Sequence, residues 1–425
     1  MRIFLKTLGC KANRYESDKL RELLIERRHD VKEFDDGMKI PIDVLVVNTC
    51  TVTHVADRKS RQAVYGVKHL YPQCKVIVFG CGSNVSPDEY KKLNGVDFVA
   101  KTPDEILEIV GKIVEKFETT KFYSNSDISE LKRTRALLKV QDGCNNFCAY
   151  CIVPRARGRE VSYPVKDILE KAKKLEKEGY KEILLTGINI GKWEGEFSGK
   201  TLKFVDLIKL LIDKTKNIRF RISSIGPKDY SLKFCKLFST GRLCPHLHMS
   251  LQSGSDSVLK RMHRNYSTKE FLEICEKFKK AVPDIGLTTD VIVGFPGETE
   301  KEFSETCKFV QKIGFLKIHV FPYSKRKNTA AYYMKNQIPE DVKNSRAEIL
   351  RKIYEKISIN FKKALLGKTY EVLVENPGGK YYRGFTPNYI PVQFLYTGGM
   401  AIVKDFVKIR LVKILNDQTI LGEIV

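Results

Sequence analysis

The chain has 425 residues, 42% of them hydrophobic and 30% charged, with a net charge of +24 and a pI near 9.4. That length allows two or three cored domains. No apolar run is long enough to span a bilayer, the charged start MRIFLK is too short in its apolar part for a signal peptide, and eleven scattered cysteines do not form a secreted disulfide framework. The expectation is a soluble cytoplasmic protein. The basic excess is local: residues 131–365 carry a net +21, against +1 for 1–130 and +2 for 366–425. A polyanionic partner for the middle segment is one reading and a solvated lysine-rich surface is the other.

In residues 1–130, apolar runs alternate with helical patterns. RIFLKTLGC precedes ESDKLRELLIERR, DVLVVNTC precedes ADRKSRQAVYGVKHL, KVIVFGCG precedes SPDEYKKL, and DFVA precedes PDEILEIVGKIVEKF. This alternation predicts βα units around a largely parallel sheet. Three of the strands end in cysteine, at Cys10, Cys50 and Cys81. The carboxyl ends of parallel strands share one edge, where ligands bind. A single such cysteine is ordinarily a small buried hydrophobe, but three on one edge, each opening a loop, point to a common centre. Cys74 precedes its strand and is read as structural.

From about Leu137 to Ser324 the alternation resumes. Strand candidates are ALLKVQDGC, EILLTGINI, IRFRISSI, HLHMSLQSG, GLTTDVIVGF and FLKIHVFPYS, separated by helical patterns such as PVKDILEKAKKLEKEG and STKEFLEICEKFKKAV. Six βα repeats of ordinary size predict a partial (β/α)6 barrel with functional loops at the strand carboxyl ends. A long amphipathic stretch beginning PEDVKNSRAEIL closes this segment, and from Lys368 the chain is rich in short strands and turns. Five such strands predict a small β-barrel of the kind that handles oligonucleotides, with Tyr381, Tyr382, Arg383 and Phe385 as candidate base-stacking and phosphate residues. The expected fold class is therefore α/β, in three domains at 1–130, 131–365 and 366–425.

The chemistry sits at DGCNNFCAYCIVPRARGR, which places Cys144, Cys148 and Cys151 in a Cys-x3-Cys-x2-Cys array after the first barrel strand. Three soft thiolates so close together fit one metal centre, whether iron–sulfur, zinc or copper. No fourth Cys or His follows within the loop. A structural zinc site calls for a fourth ligand, and iron–sulfur clusters usually have four cysteines. Three thiolates on a cubane cluster leave one iron open to a small chelating ligand.

This array, in this position, resembles that of radical S-adenosylmethionine enzymes, whose open iron is chelated by S-adenosylmethionine. With RGREVS, LTGINI, RISSI, SLQSGSDSVLKRMHRNYS, TTDVIVGFPGET and PYSKRKNTAA, the whole chain resembles the methylthiotransferase family, including its carboxyl-terminal TRAM-like barrel. The resemblance implies two 4Fe-4S clusters, an auxiliary one at Cys10, Cys50 and Cys81 and a radical one at Cys144, Cys148 and Cys151. It also implies two molecules of S-adenosylmethionine per turnover, one methylating sulfur at the auxiliary cluster and one generating the radical, and a methylthio group on carbon as the product. Gly187, Asn189, Ser223, Gln252 and Asp290, at or near strand ends, are candidates to line the S-adenosylmethionine pocket, although ordinary strand-end hydrogen bonding would also account for them.

Branches of the family act on tRNA adenosines bearing an isopentenyl or a threonylcarbamoyl group, or on an aspartate of a ribosomal protein. TLGCKANRYES is similar to the bacterial threonylcarbamoyladenosine branch through Lys11, Asn13, Tyr15 and Glu16. The implied reaction is methylthiolation of carbon 2 of threonylcarbamoyladenosine at position 37, next to the anticodon. An unpaired loop suits it, because a base must leave its stack to enter a barrel mouth. Arg155, Arg157 and Arg159, with Lys325, Arg326 and Lys327, are expected to ring that mouth and hold phosphates, the alternative being a solvated rim. The expected partners are a tRNA and an electron donor, with no membrane and the chain as a monomer. The alternative of another class is a non-catalytic iron–sulfur RNA-binding protein.

Overall fold

In the first sheet every position of the central strand is buried, as expected for a parallel strand covered on both faces. Its strands are β1 (Arg2–Thr7), β2 (Asp30–Glu33), β3 (Val44–Thr49), β4 (Lys75–Gly80) and β5 (Phe98–Val99), all parallel, in the order β2-β1-β3-β4-β5. Ile3, Leu5, Val44, Val46, Ile77 and Phe79 build one core, and Phe4, Leu45, Val47, Val76 and Val78 build the other. The computed structural model describes residues 1–35, 41–117, 133–378, 380–396, 403–416 and 418–425. The boundary expected at 130/131 falls outside them.

The helix after β1 runs Lys11–Glu26, beginning five residues before the apolar pattern suggested. Asn13 and Ser17 are buried with Leu20 and Leu24, so two polar residues extend the apolar stripe at helical spacing. A reading by hydrophobicity starts at Glu16 and so leaves Asn13 outside the helix.

Packing divides the chain into two compact units. The first comprises Met1–Lys132, Gly143–Glu160 and Ser324–Tyr332; the second comprises Arg133–Asp142, Val161–Tyr323 and Tyr333–Val425. The loop with Cys144, Cys148 and Cys151, and the segment with Lys325 to Lys327, thus pack with the first sheet, although in sequence they belong to the barrel segment.

The second unit holds the barrel strands β6 (Ala136–Lys139), β9 (Glu182–Thr186), β12 (Arg219–Ile222), β13 (Ser224–Ile225), β14 (His246–Met249), β15 (Gly286–Val293) and β16 (Lys317–Pro322). They pair in parallel as β12-β9-β6 and β13-β14-β15-β16, and β12 and β13 are one strand interrupted at Ser223. Six consecutive βα strands left open between β6 and β16 make the partial barrel. Outer helices, including Val165–Lys177, Phe204–Lys214, Thr268–Ala281, Glu300–Ile313 and Glu340–Lys363, accompany them, and strand and helix side chains form one core for this barrel. Two short antiparallel pairs had no counterpart in the sequence reading. They are β7 (Gln141–Asp142) with β8 (Val161–Ser162), and the hairpin β10 (Glu194–Phe197) with β11 (Lys200–Lys203). The first lies where the chain leaves the barrel and returns to it.

The same unit ends in a closed five-stranded barrel, β17-β18-β19-β21-β20, made of β17 (Thr369–Gly378), β18 (Tyr381–Phe385), β19 (Pro391–Leu395), β20 (Phe406–Ile414) and β21 (Ile420–Ile424). One carboxylate ties it to the larger barrel. Glu182, fully buried on β9, accepts from Arg135 Nε at 2.7 Å, Arg219 Nε at 2.6 Å and Arg221 Nε at 2.7 Å. The same guanidiniums reach the small barrel. Arg135 pairs with Glu375, Arg221 donates to Pro387 O at 2.9 Å, and Arg219 lies 4.4 Å from the Phe406 ring centre.

Burial alone would raise the Glu182 carboxyl, but Arg221, Arg219 and Arg135 hold it well below the ordinary value of 4.5. A carboxyl depressed by folding contributes stability that is complete above its unfolded value and is lost as pH falls through its folded one. Glu182→Gln should cost about 3–5 kcal/mol at neutral pH, because it leaves buried cations uncompensated. It should also flatten the loss of stability between about pH 5 and about pH 3. Calorimetric melts of both proteins across that range check both effects.

Candidate metal and cofactor site

At the carboxyl edge of the first sheet, Cys50 directly follows β3 and Cys81 directly follows β4, each 3% exposed. Cys10 is more exposed and lies three residues past β1, at the N-cap of helix Lys11–Glu26 rather than at the strand end itself. What joins them is Asn13, one turn into that helix and fully buried. The Cys10 Sγ donates toward Asn13 Oδ1 at 3.6 Å and the Cys81 Sγ toward the same atom at 3.7 Å. Cys50 sits against Gly9, where an added Cβ would meet its Sγ at 2.9 Å; Gly9 also has φ +99°, so the turn needs glycine twice over.

The Asn13 amide orientation is fixed by its neighbours. Nδ2 donates to Leu8 O, Asn48 Oδ1 and Thr49 O, each at 3.0 Å, leaving Oδ1 for donors. Asn48 on β3 answers by donating to Asn13 O at 2.8 Å and to Ser17 Oγ at 3.1 Å. The third donor to Asn13 Oδ1 is Arg157 Nη2, at 2.6 Å; Arg157 also binds Glu16 through Nη1 at 2.7 Å and Nη2 at 3.2 Å. The Arg157 side chain is only 6% exposed. It does not stand on a rim, as the sequence suggested. Arg326 is likewise turned inward, bonded to Thr51 Oγ1 and 3.9 Å from Asp57. Arg155, Arg159, Lys325 and Lys327 are exposed. Each basic triplet therefore sends its middle member inward and its outer two to solvent.

Burial pushes the Cys81 thiol up to about 12, with Arg157 the first charge opposing it. Burial also raises the Cys50 thiol, opposed by the Val52 N–H, Arg157 and Arg326. Metal binding deprotonates a coordinating thiol outright. Three soft donors, with the Arg157 guanidinium bonded to the Asn13 oxygen that two of them approach and Arg326 bonded to Thr51 next to the third, match a metal–thiolate centre that carries net negative charge.

The second cysteine set occupies the loop Gly143–Glu160. The loop is closed at its base by Cys144 N donating to Gly158 O at 3.2 Å, and it turns back between Cys148 and Cys151 through Cys151 N to Cys148 O at 2.9 Å. Asn146 N donates to Cys144 Sγ at 3.4 Å, and Ala331 N from the Ser324–Tyr332 segment donates to Ala149 O at 2.8 Å. All three cysteines are half-buried, consistent with a centre that keeps an open position. The helix that follows, Val153–Arg157, packs on helix Cys81–Val85, and Asn84 Nδ2 donates to Ala156 O at 3.2 Å.

In the second unit, the proposed cofactor residues stand at or near strand ends. Gln141 Oε1 accepts from Ile188 N at 3.0 Å and Asn189 N at 2.7 Å, and a Cβ on Gly187 would lie 2.5 Å from Gln141 O. Gln252, at φ +71°, extends the pairing of β14 with β15 through Gln252 N to Asp290 O at 2.8 Å. Ser223 is 6% exposed and its Oγ has no partner among the described residues. A buried orphan hydroxyl beside strand ends suits a polyhydroxylated, amino-acid-bearing ligand such as S-adenosylmethionine.

Two residues that sequence reasoning passed over stand with Asp290. His248 Nε2 lies 3.1 Å from Asp290 Oδ2, and His319 brings a ligand-capable atom within 4.8 Å of both. Thr288 Oγ1 bridges His248 Nδ1 at 2.9 Å and His246 Nε2 at 3.0 Å, which fixes the His248 ring. The signal was His246, His248, Thr288 and Asp290 at period two on adjacent strands. In the small barrel, Tyr381 and Arg383 are exposed. Tyr382 is instead partly buried against the core and stacks on Phe394, and Phe385 stacks on Tyr389 beneath the Arg135 guanidinium. These two rings are engaged internally.

Residues 138–310 match the Radical SAM superfamily and residues 2–101 the Uncharacterized protein family UPF0004. The chain is thus a radical S-adenosylmethionine protein carrying a second, amino-terminal domain. It is 36% identical, over 96% of its length and 93% of the relative's, to the threonylcarbamoyladenosine tRNA methylthiotransferase MtaB of Bacillus subtilis (strain 168). It is 33% identical, over 99% and 96%, to the tRNA-2-methylthio-N(6)-dimethylallyladenosine synthase of Clostridium botulinum (strain Langeland / NCTC 10281 / Type F). The chain belongs to the radical S-adenosylmethionine methylthiotransferase family. Among solved structures, the radical S-adenosylmethionine methyltransferase TsrM of Kitasatospora setae shares the fold, with a TM-score of 0.55 at 12% identity over 76% of each chain.

Gly143 has φ +66°, and a Cβ there would lie 1.9 Å from Arg159 O across the loop base. Gly143→Ala should therefore displace the loop that carries Cys144, Cys148 and Cys151 and lower the total iron bound after anaerobic reconstitution to about half, with the far-UV circular dichroism unchanged. Iron assay and circular dichroism on the same sample check this.

Proposed function

We infer that the protein transfers a methylthio group to carbon 2 of N6-threonylcarbamoyladenosine at position 37 of tRNA, using S-adenosylmethionine and two 4Fe-4S clusters. The observation that carries this reading is the pairing of two separate cysteine triads within one compact unit, Cys10, Cys50 and Cys81 beside Cys144, Cys148 and Cys151. A non-catalytic iron–sulfur RNA-binding protein needs neither an open-position array nor a second triad. The choice of threonylcarbamoyladenosine over dimethylallyladenosine rests on the GCKANRYE stretch and on relatives bearing that name.

In this reading Cys144, Cys148 and Cys151 hold the radical cluster, and Cys10, Cys50 and Cys81 the auxiliary one. When bound, the clusters supply the electron that cleaves the sulfonium of S-adenosylmethionine and the sulfur that is methylated. Gly187 leaves room at a strand end, while Asn189, Ser223, Gln252 and Asp290 orient S-adenosylmethionine by hydrogen bonds. Arg155, Arg159, Lys325 and Lys327 hold phosphates of an unpaired anticodon loop, and Tyr381 and Arg383 offer further contacts. The segments 1–130, 131–365 and 366–425 are divided by role, as sulfur-carrying, radical-forming and RNA-holding parts. An external electron donor is required, and the protein works as a cytoplasmic monomer. No helix among the described residues is long and apolar enough to cross a membrane.

Anaerobic reconstitution should give about eight irons per chain, falling to about four when Cys10, Cys50 and Cys81 are replaced by alanine. A count fixed at one cluster in both proteins would reject the two-cluster reading. Mass spectrometry of tRNA nucleosides from a strain lacking the chain should show loss of methylthio-threonylcarbamoyladenosine, and an unchanged level would reject the substrate. Replacing Arg155, Arg159, Lys325 and Lys327 together by alanine should make the dependence of log tRNA affinity on log salt shallower by up to about 3. An unchanged slope would remove the phosphate role.

A further inference from the structure

We propose that Arg157 is the counter-cation of the Cys10, Cys50 and Cys81 centre, a positioning residue that sets the centre's reduction potential and ties its assembly to the loop carrying the other three cysteines. The proposal rests on the two-cluster reading above and adds a role that the reading does not contain.

Arg157 lies six residues beyond Cys151, on the short helix Val153–Arg157, yet its guanidinium is buried among residues of the amino-terminal sheet domain. Burying a cation is unfavourable unless its charge and its N–H groups find partners. Glu16 meets one face of the fork with two bonds, and Asn13 Oδ1 meets the other. That same oxygen is the atom approached by the Cys10 and Cys81 sulfurs. The guanidinium is therefore one hydrogen-bonded atom removed from two candidate ligands, with its balancing carboxylate on a separate bond. A lysine would carry the charge but not the planar fork that binds Glu16 and Asn13 together.

The electrostatic consequence has a sign. A 4Fe-4S centre held by three thiolates is negatively charged, and reduction adds to that charge. In a buried site a neighbouring cation favours the reduced form, and a neighbouring carboxylate disfavours it. Arg326 supplies a second cation beyond Cys50, although Asp57 lies 3.9 Å from it. The two segments that join the first unit from elsewhere in the chain, Gly143–Glu160 and Ser324–Tyr332, thus each deliver one inward arginine: Arg157 to Asn13, beside Cys10 and Cys81, and Arg326 to Thr51, next to Cys50.

The test uses the full chain, anaerobically reconstituted, with iron counted and both midpoints followed by electron paramagnetic resonance during redox titration. The Cys10, Cys50 and Cys81 triple variant identifies which signal is the auxiliary one. Arg157→Gln should lower the auxiliary midpoint by the equivalent of at least tenfold in its one-electron equilibrium, about 59 mV, while Glu16→Gln should raise it. If Arg157→Gln instead loses the auxiliary irons alone while Arg157→Lys keeps about eight, the cation is needed to hold the centre, which also supports the proposal. Shifts of the same sign in the Arg157→Gln and Glu16→Gln proteins would overturn it. So would about eight irons with unchanged midpoints in both. Wild-type protein that never holds more than about four irons would reject the underlying two-cluster reading rather than the role of Arg157 within it.

Discussion

The Asn13 carboxamide is fully buried, and its nitrogen ties the turn after β1 to the end of β3 by bonding Leu8 O, Asn48 Oδ1 and Thr49 O. Asn48 returns bonds to the helix at Asn13 O and Ser17 Oγ. The backbone ladder sets the spacing of β1 and β3, and the Asn13 amide fixes how the turn beyond β1 sits against the end of β3, with a directionality that apolar packing lacks. Cys10 lies in that turn, Cys50 directly follows β3, and the Cys10 and Cys81 sulfurs both approach Asn13 Oδ1, so one side chain stands between the three thiol-bearing segments.

Around that hub the basic residues divide by direction rather than by sequence. In both Arg155 to Arg159 and Lys325 to Lys327, the middle cation points inward and the flanking ones face solvent. A surface rich in positive charge and an interior one need not compete for the same stretch of chain, because alternate side chains of a short turn diverge. The two proposed roles, an external field for a polyanion and a local field at buried thiols, thus fall to different members of the same short stretches.

Much of this was legible beforehand. The alternation of apolar runs and helical patterns gave the parallel sheet, the six-strand barrel and the five-strand carboxyl-terminal barrel, because each carries a strong period of its own. Cys50 and Cys81 were placed at the correct edge by topology alone. Asn13 was not legible as a structural centre, since the apolar pattern begins its helix at Glu16 and leaves Asn13 in the preceding turn, where an asparagine is ordinary. Arg157 and Arg326 read as rim charges until their tertiary partners are known. β2, with the sequence DVKE, and the β10–β11 hairpin, with EGEF and KTLK, are short and polar, so hydrophobic patterning passes over them. Tyr382 and Phe385 show the reverse case: on a very small barrel aromatics must also fill the interior, and these two stack on Phe394 and Tyr389.

The Glu182 cluster bears on how the two barrels of the second unit can move. Arg135, Arg219 and Arg221 share one carboxylate and also reach Glu375, the Phe406 ring and Pro387 O on the small barrel. A module fastened this way cannot swing on its tether like a bead on a string, because any rotation would strip partners from buried cations together rather than one at a time. A polymer that touched both barrels would have to adapt its own shape to a preset spacing, and selectivity would then lie in which molecules bend to fit that fixed frame.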